Sequence, residues 1–267
     1  MIANGIQTDR NSRKPFGRAP VFLLLVILLL SLSIKIALYL LDPYLTRDGS
    51  FYVFTVEEWI RTGIIPSSTT EHSWLPLYPF LMKNLSHLGI SVALSGICIN
   101  IIFGAMIPLV AYGLSYEITG QKTLSLCVCL LTAVHPALNS LSIKVQRDAG
   151  YLFFTGCLMW SLAAGINRRK WYWFSAAGLF AACSILMRFE TAEFLVLVFP
   201  VFFFIMARCF SLRKSVHFCL SFFLSFFLFL IVFAEGMGTR EFLQDQYAYF
   251  LHKKMKDVMD QGTLPKE

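Results

Sequence analysis

From Val21 to Leu41 the chain runs through apolar side chains with a single charge, Lys35, among them. A helix needs about 20 such residues to cross the ~30 Å hydrocarbon core of a bilayer. Six more apolar runs follow, at about 91–115, 123–142, 149–166, 171–187, 191–207 and 215–234. Several are short, so modest tilt or local thinning is expected. In lipid the backbone must satisfy its own hydrogen bonds, and continuous apolar runs do this as helices. The expected fold is an all-α multi-pass membrane protein, a bundle of about seven transmembrane helices. Composition agrees: 57% of the 267 residues are hydrophobic, 26 are Phe and only 15% are charged, which excludes an ordinary soluble domain.

Residues 1–20 are polar, carry Arg10, Arg13, Lys14 and Arg18, and read as a cytoplasmic tail ahead of a signal anchor. A cleavable signal peptide would have a shorter core and a small-residue cleavage site. Lys35 is near the outer end of its run and is expected to snorkel to that interface. Residues 21–235 form the membrane module, with a first outer loop at 42–90. Residues 236–267 form a tail in which Leu243, Tyr247, Leu251 and Met255 recur at amphipathic spacing. The surplus of 23 Lys plus Arg over 16 Asp plus Glu comes without a basic helix or zinc motif, so no nucleic-acid partner is expected.

Residues 76–90 decide the topology. They are apolar enough to enter lipid, yet they hold Pro76, Pro79, Lys83, Asn84 and His87, and they read as interfacial or re-entrant. The cytoplasmic segments then hold eleven basic residues: Arg10, Arg13, Lys14, Arg18, Lys122, Arg168, Arg169, Lys170, Arg208, Arg213 and Lys214. The outer segments before the tail hold six: Arg47, Arg61, Lys83, Lys144, Arg147 and Arg188. Were 76–90 to cross, every later loop would change sides, giving seven inside against nine outside. The positive-inside rule selects the first arrangement. It places the N-terminus in the cytoplasm, and Asp48, Lys144 to Asp148, and Arg188 to Glu190 together on the outer face of a cell membrane.

Residues 49–62 put Tyr52, Val56, Trp59 and Ile60 on one helical face and Glu57, Glu58 and Arg61 on the other, with Gly63 at the stop position. This is the pattern of a short amphipathic helix lying on the bilayer in the first outer loop. Asp48 just before it has two readings: an N-cap, worth about 1 kcal/mol, or a reacting carboxylate at the boundary of lipid and water. Asn100, Pro108 and His135-Pro136 fall inside spans, where neighbouring helices can satisfy the freed backbone groups. His135 is expected to be packed rather than ligating. The seven cysteines lie in or at the end of apolar runs and are expected to be buried free thiols. Cys127 and Cys129 would face opposite sides of a helix, which argues against a metal site there.

Charges at membrane depth are costly and by default mark a pathway or a site. Solvated loop charges are the plainer reading of any one of them, but three charged segments gathered on one side favour a site. Guanidiniums such as Arg147 and Arg188 beside a lipid slot match phosphate oxygens, and a nearby acid can take the proton of an attacking hydroxyl. Sugar transfer from a lipid-linked donor uses those parts. No Gly-rich phosphate loop, zinc motif or nucleophile elbow competes.

In order along the chain stand a first span, Arg47-Asp48-Gly49-x-x-Tyr52, an amphipathic helix, Trp74-Leu75-Pro76-Leu77-Tyr78-Pro79, a bundle containing Gln146-Arg147-Asp148, and Met187-Arg188-Phe189-Glu190. This order resembles the N-terminal membrane module of the GT-C glycosyltransferases, in particular the family-39 or protein-mannosyltransferase-like group that includes the Rgt-type and lipid A aminoarabinose transferases. The resemblance covers residues 20–235. It implies a GT-C-like bundle and a glycosyltransferase that moves a sugar from a polyprenyl- or dolichyl-phosphate donor to a hydroxyl of a glycan, lipid or protein acceptor, with inversion at the anomeric carbon.

By the resemblance Asp48 is the catalytic base and Tyr52 the aromatic that follows it. Arg147, Asp148, Arg188 and Glu190 correspond to charged positions lining the donor phosphate and the acceptor. Lys144 joins them as a substrate-binding candidate by its place in the same connection. A divalent cation is left open as cofactor, with no metal ligands assigned, and membrane lipids surround the bundle. Two departures are visible. Many relatives have Asp-Glu where this chain has Asp48-Gly49, and longer members carry further spans and an outer soluble domain. The second keeps open a partner chain supplying helices or, as an alternative function, a non-catalytic truncated or split module or a lipid-carrier-binding or transport protein.

Overall fold

The computed structural model describes residues 18–43, 45–63 and 76–236. The expectations for residues 1–17 and for the amphipathic tail, and Trp74 and Leu75 of the Pro-rich motif, lie outside the described residues. The described chain is helical: α1 (Arg18–Leu41), α2 (Arg47–Thr62), α3 (Leu77–Ser86), α4 (Val92–Thr119), α5 (Lys122–Val134), α6 (Pro136–Ser142), α7 (Asp148–Arg168), α8 (Trp171–Met187), α9 (Glu190–Cys209) and α10 (Leu212–Gly236).

Five of these, α1, α4, α7, α9 and α10, are long and apolar enough to cross a membrane, and α5 with α6 make a sixth if the bent pair is one span. The protein is therefore an all-α multi-pass membrane protein. Helix α8, with 17 residues, is shorter, about 25 Å at 1.5 Å per residue. It nevertheless runs between the same two ends of the bundle as α7. Arg188, just past its last residue, bonds Asp148 at the start of α7. Near its other end the Trp173 ring lies 6.1 Å from that of Trp160 and 4.8 Å from the Arg168 guanidinium at the end of α7. Helix α3 has 10 residues, about 15 Å, too short to cross. Its Leu77, Tyr78, Pro79 and Met82 are buried, so α3 packs into one end of the bundle.

Local chemistry sets the boundaries. Ser91 caps α4 by accepting from the Leu94 N–H at 3.3 Å. Gly63 and Gly120, at φ 72° and 70°, end α2 and α4 in the left-handed conformation that glycine adopts without strain. Pro136 has no N–H to continue α5, and the chain bends there by 55°. Asn139 Nδ2 donates to the Ala133 carbonyl at 3.2 Å and so covers one of the acceptors the break frees. The continuous 123–142 span expected from sequence is thus two helices. His135 at the break is exposed, not packed, because the bend turns its side chain out of the bundle.

Lys35 also departs from expectation. It does not snorkel: it is 1% exposed, and its ammonium donates to Asn139 Oδ1 at 2.7 Å and Ser31 Oγ at 2.9 Å. Gly104 on α4 makes the room, since a Cβ there would stand 2.0 Å from Ser142 Oγ and 2.8 Å from Lys35 Cε. Partners inside the bundle replace the water that snorkelling would have reached. Among the thiols, Cys129, Cys157 and Cys183 are buried and Cys98 and Cys219 half-buried. Cys127 is exposed, on the outward side of α5 that the spacing to Cys129 demanded.

At the bundle end away from Asp148, Glu117 of α4 is buried and accepts from Arg168 Nε at 2.9 Å, while Asn167 Nδ2 donates to the Glu117 carbonyl at 2.6 Å. This ties the end of α4 to the end of α7. At the Asp148 end a core of Val56, Tyr78, Met82, Ile97, Val145, Leu186 and Met187 joins α2, α3, α4 and α8. That core is the floor under the candidate site.

Candidate functional site

Helix α2 begins with Thr46, whose Oγ1 accepts from the Gly49 N–H at 3.0 Å. Thr46 is therefore the N-cap, and the capping role considered for Asp48 is filled two residues earlier by a hydroxyl. Asp48 sits in the first turn, where the helix dipole favours a carboxylate. Its carboxylate is exposed and forms no hydrogen bond or ion pair with any described residue. Val56 and Trp59 face the core as the periodicity required, while Ile60 is 41% exposed. Lys83 of α3 lies 4.3 Å over the Trp59 ring and holds the two surface helices together.

Residues 143–147 connect α6 to α7 and are shaped from beneath by Asn100 of α4. Its Nδ2 donates to the carbonyls of Lys144 and Gln146, at 2.5 and 2.6 Å. Between them Val145 is fully buried, wedged against two glycines. A Cβ on Gly96 would come 2.9 Å from its Cγ1, and one on Gly49 3.1 Å from its Cβ. The Asp48-bearing turn therefore rests on the loop that carries Lys144 and Arg147. The same contact leaves little room for a side chain at Gly49, which faces a packed valine.

Tyr52 sits where these pieces meet. Its ring stands edge-on to Tyr78, with centroids 5.2 Å apart. Burial raises the pKa of its phenol above the ordinary 10.0, opposed by Arg147, reinforced by Asp148 and Asp48, and opposed again by Arg188. All four named charges thus act on one hydroxyl, so the structure brings Asp48, Tyr52, Arg147, Asp148 and Arg188 together. Tyr78 is displaced upward further, first by burial and then by Tyr52.

Arg188 is shared between two carboxylates. It bonds Asp148 through Nη1, and Glu190 through Nη2 at 2.6 Å and Nε at 3.2 Å. These bonds, Glu190 first, hold the guanidinium even above its usual range. Its flat face lies 5.4 Å from the Tyr151 ring. Arg147, by contrast, is half-buried with no ion pair to any described residue. Lys144 is half-buried in the same loop. Among the described residues no three His, Cys, Asp or Glu side chains gather as a metal site. Asp148 and Glu190 are joined through Arg188.

From the sequence, Asn100 is expected as a tolerated polar residue in a span and Lys35 as an interfacial one. A polar group in an apolar run was the available signal in both cases; its partner, more than forty residues away, was not. A family model described as dolichyl-phosphate-mannose-protein mannosyltransferase matches residues 71–234. That stretch holds Tyr78, Asn100, Lys144 to Asp148, Arg188 and Glu190, and begins after Asp48 and Tyr52. No curated protein and no solved structure matches the chain.

Proposed function

Since the chain belongs to the dolichyl-phosphate-mannose-protein mannosyltransferase family, a family of membrane glycosyltransferases, we propose that it transfers a sugar from a polyprenyl-phosphate carrier to an acceptor hydroxyl at the outer face of the membrane. The balance of Lys and Arg between the two ends supports that orientation. One arrangement supports the reading: the Asp48 turn packs through Gly49 on Val145 of the loop that carries Arg147, and Tyr52 beside it lies within electrostatic reach of charges from two later loops.

Asp48 takes the proton of the acceptor hydroxyl as the new bond forms at the anomeric carbon. The bond from that carbon to the phosphate oxygen breaks on the opposite face, and its electron pair leaves on the carrier phosphate. Arg147, the guanidinium without a carboxylate partner among the described residues, balances the charge that develops there. Arg188 fixes Asp148 and Glu190 beside it. The exposed Asp48 is left to meet the acceptor hydroxyl, with Tyr52 and the acidic pair beside it.

The test is Asp48→Asn in membranes supplied with polyprenyl-phosphate sugars. Loss of a general base lowers turnover by roughly 10²- to 10⁴-fold. Full activity would remove Asp48 from the role, and absence of transfer by the unaltered protein across a panel of carrier-linked sugars would overturn the function.

A further inference from the structure

Asn100 lies a little over two turns inside α4, fully buried beneath the loop that presents Arg147. Its amide nitrogen faces three acceptors: the Lys144 carbonyl at 2.5 Å, the Gln146 carbonyl at 2.6 Å and Tyr78 Oη at 3.0 Å. Tyr78 spends its own proton on the Gly96 carbonyl at 3.2 Å, so it receives rather than gives at Asn100. The amide oxygen meets no donor among the described residues. A group surrounded in this way is held for its two N–H bonds, because nothing nearby uses its acceptor.

Two carbonyls of one loop, separated by a single residue, converge on that nitrogen. The loop must curl to bring them there, which buries Val145 and leaves Lys144 and Arg147 half-exposed at the rim. Through Tyr78, whose ring meets Tyr52 edge-on, the same amide touches the support of the Asp48 helix. We infer that Asn100 is a positioning residue for transfer: it sets the Arg147 loop against the Asp48–Tyr52 turn, and so fixes how phosphate site and base face each other. The inference rests on the function proposed above for its catalytic consequence, but not for its structural one.

The test compares Asn100→Leu and Asn100→Asp, two side chains close to asparagine in size. Leucine supplies no donor, and a neutral aspartic acid supplies one where the amide supplies two. Filling space alone would rank aspartic acid as the worse substitute, because it brings an ionisable group into an apolar core. Positioning by donation ranks leucine as the worse.

The first readout needs no activity: the maleimide labelling rate of Gln146→Cys in detergent, taken as the increment over the same chain with Gln146. It should be slow with Asn100, intermediate with Asn100→Asp and fastest with Asn100→Leu. The buried thiols of Cys157 and Cys183 remain unreactive when the bundle is intact and serve as the fold check. The second readout is the donor KM, which should rise in the same order, by roughly tenfold to a hundredfold in Asn100→Leu, with the kcat change smaller. Equal labelling in all three backgrounds overturns the inference. So does reactive Cys157 and Cys183 in both variants, which would mean that Asn100 holds the whole bundle rather than the loop. Labelling that rises without a change in donor KM overturns the catalytic part. A chain inactive towards every carrier-linked sugar, with labelling graded as expected, would leave the clamp standing and defeat the function instead.

Discussion

Asp148 and Arg188, forty residues apart in sequence, are joined by a charge-assisted hydrogen bond that ties the first residue of α7 to the turn between α8 and α9. The same guanidinium holds Glu190, so one cation bridges two acids at the rim of the site. Arg188→Ala would leave both carboxylates facing a departing phosphate. We expect donor affinity to fall more than acceptor affinity. Arg188→Lys should recover little, because an ammonium cannot present a fork to two carboxylates. Apparent KM values for the two substrates check this; a larger effect on the acceptor would count against it.

Thr46 and Asp48 separate stability from chemistry within one helical turn. Thr46→Ala removes the cap and should lower stability by about 1 kcal/mol while leaving turnover nearly intact. Asp48→Asn should do the reverse. Thermal midpoints and turnover measured on both variants give the answer, and a parallel loss of the two properties in either would refute the division of roles.

Lys35→Met removes the donor that Asn139 Oδ1 now has inside the bundle. An acceptor left buried without a partner costs about 1–3 kcal/mol, so the thermal midpoint should drop. A lysine that merely snorkelled would be replaced without cost. Intact stability in Lys35→Met would return the residue to the interface.

Tyr52 gives a pH dependence whose sign follows from burial. Its phenol ionises in the folded chain only above the ordinary 10.0, so the contribution to stability is complete below that pH and is lost as pH rises through the folded value. Unfolding at alkaline pH should therefore shift to higher pH in Tyr52→Phe, with no change near neutrality. Denaturation midpoints across the alkaline range measure it, and an unchanged alkaline limit would mean that the phenol is not protected.

Much of the bundle was legible because apolar runs and glycine stops act locally: α2 ends at Gly63, α3 stays at one end, and Cys127 and Cys129 fall on opposite sides. The charged segments could be assigned to one end by counting Lys and Arg, and the structure gathers Asp48, Arg147, Asp148 and Arg188 around Tyr52. What stayed hidden depended on rotation about helix axes. A helix apolar all round, such as α1, carries no periodic signal that says which side Lys35 faces. The preference for Thr46 over Asp48 as cap was a choice between neighbouring residues that both suit the position. Asn100 was visible as an oddity in its span, but its acceptors belong to a loop that the fold alone brings near.

Helix α7 is fastened twice, by Asp148 to the turn after α8 and by Arg168 to Glu117 of α4. To slide along its neighbours by one pitch, about 5.4 Å, it would have to break both ion pairs at once. It is the keel of the molecule. Of the five helices long enough to cross, α9 has the smallest share of its length enclosed by the rest of the bundle, so its packing restrains it less than that of α7.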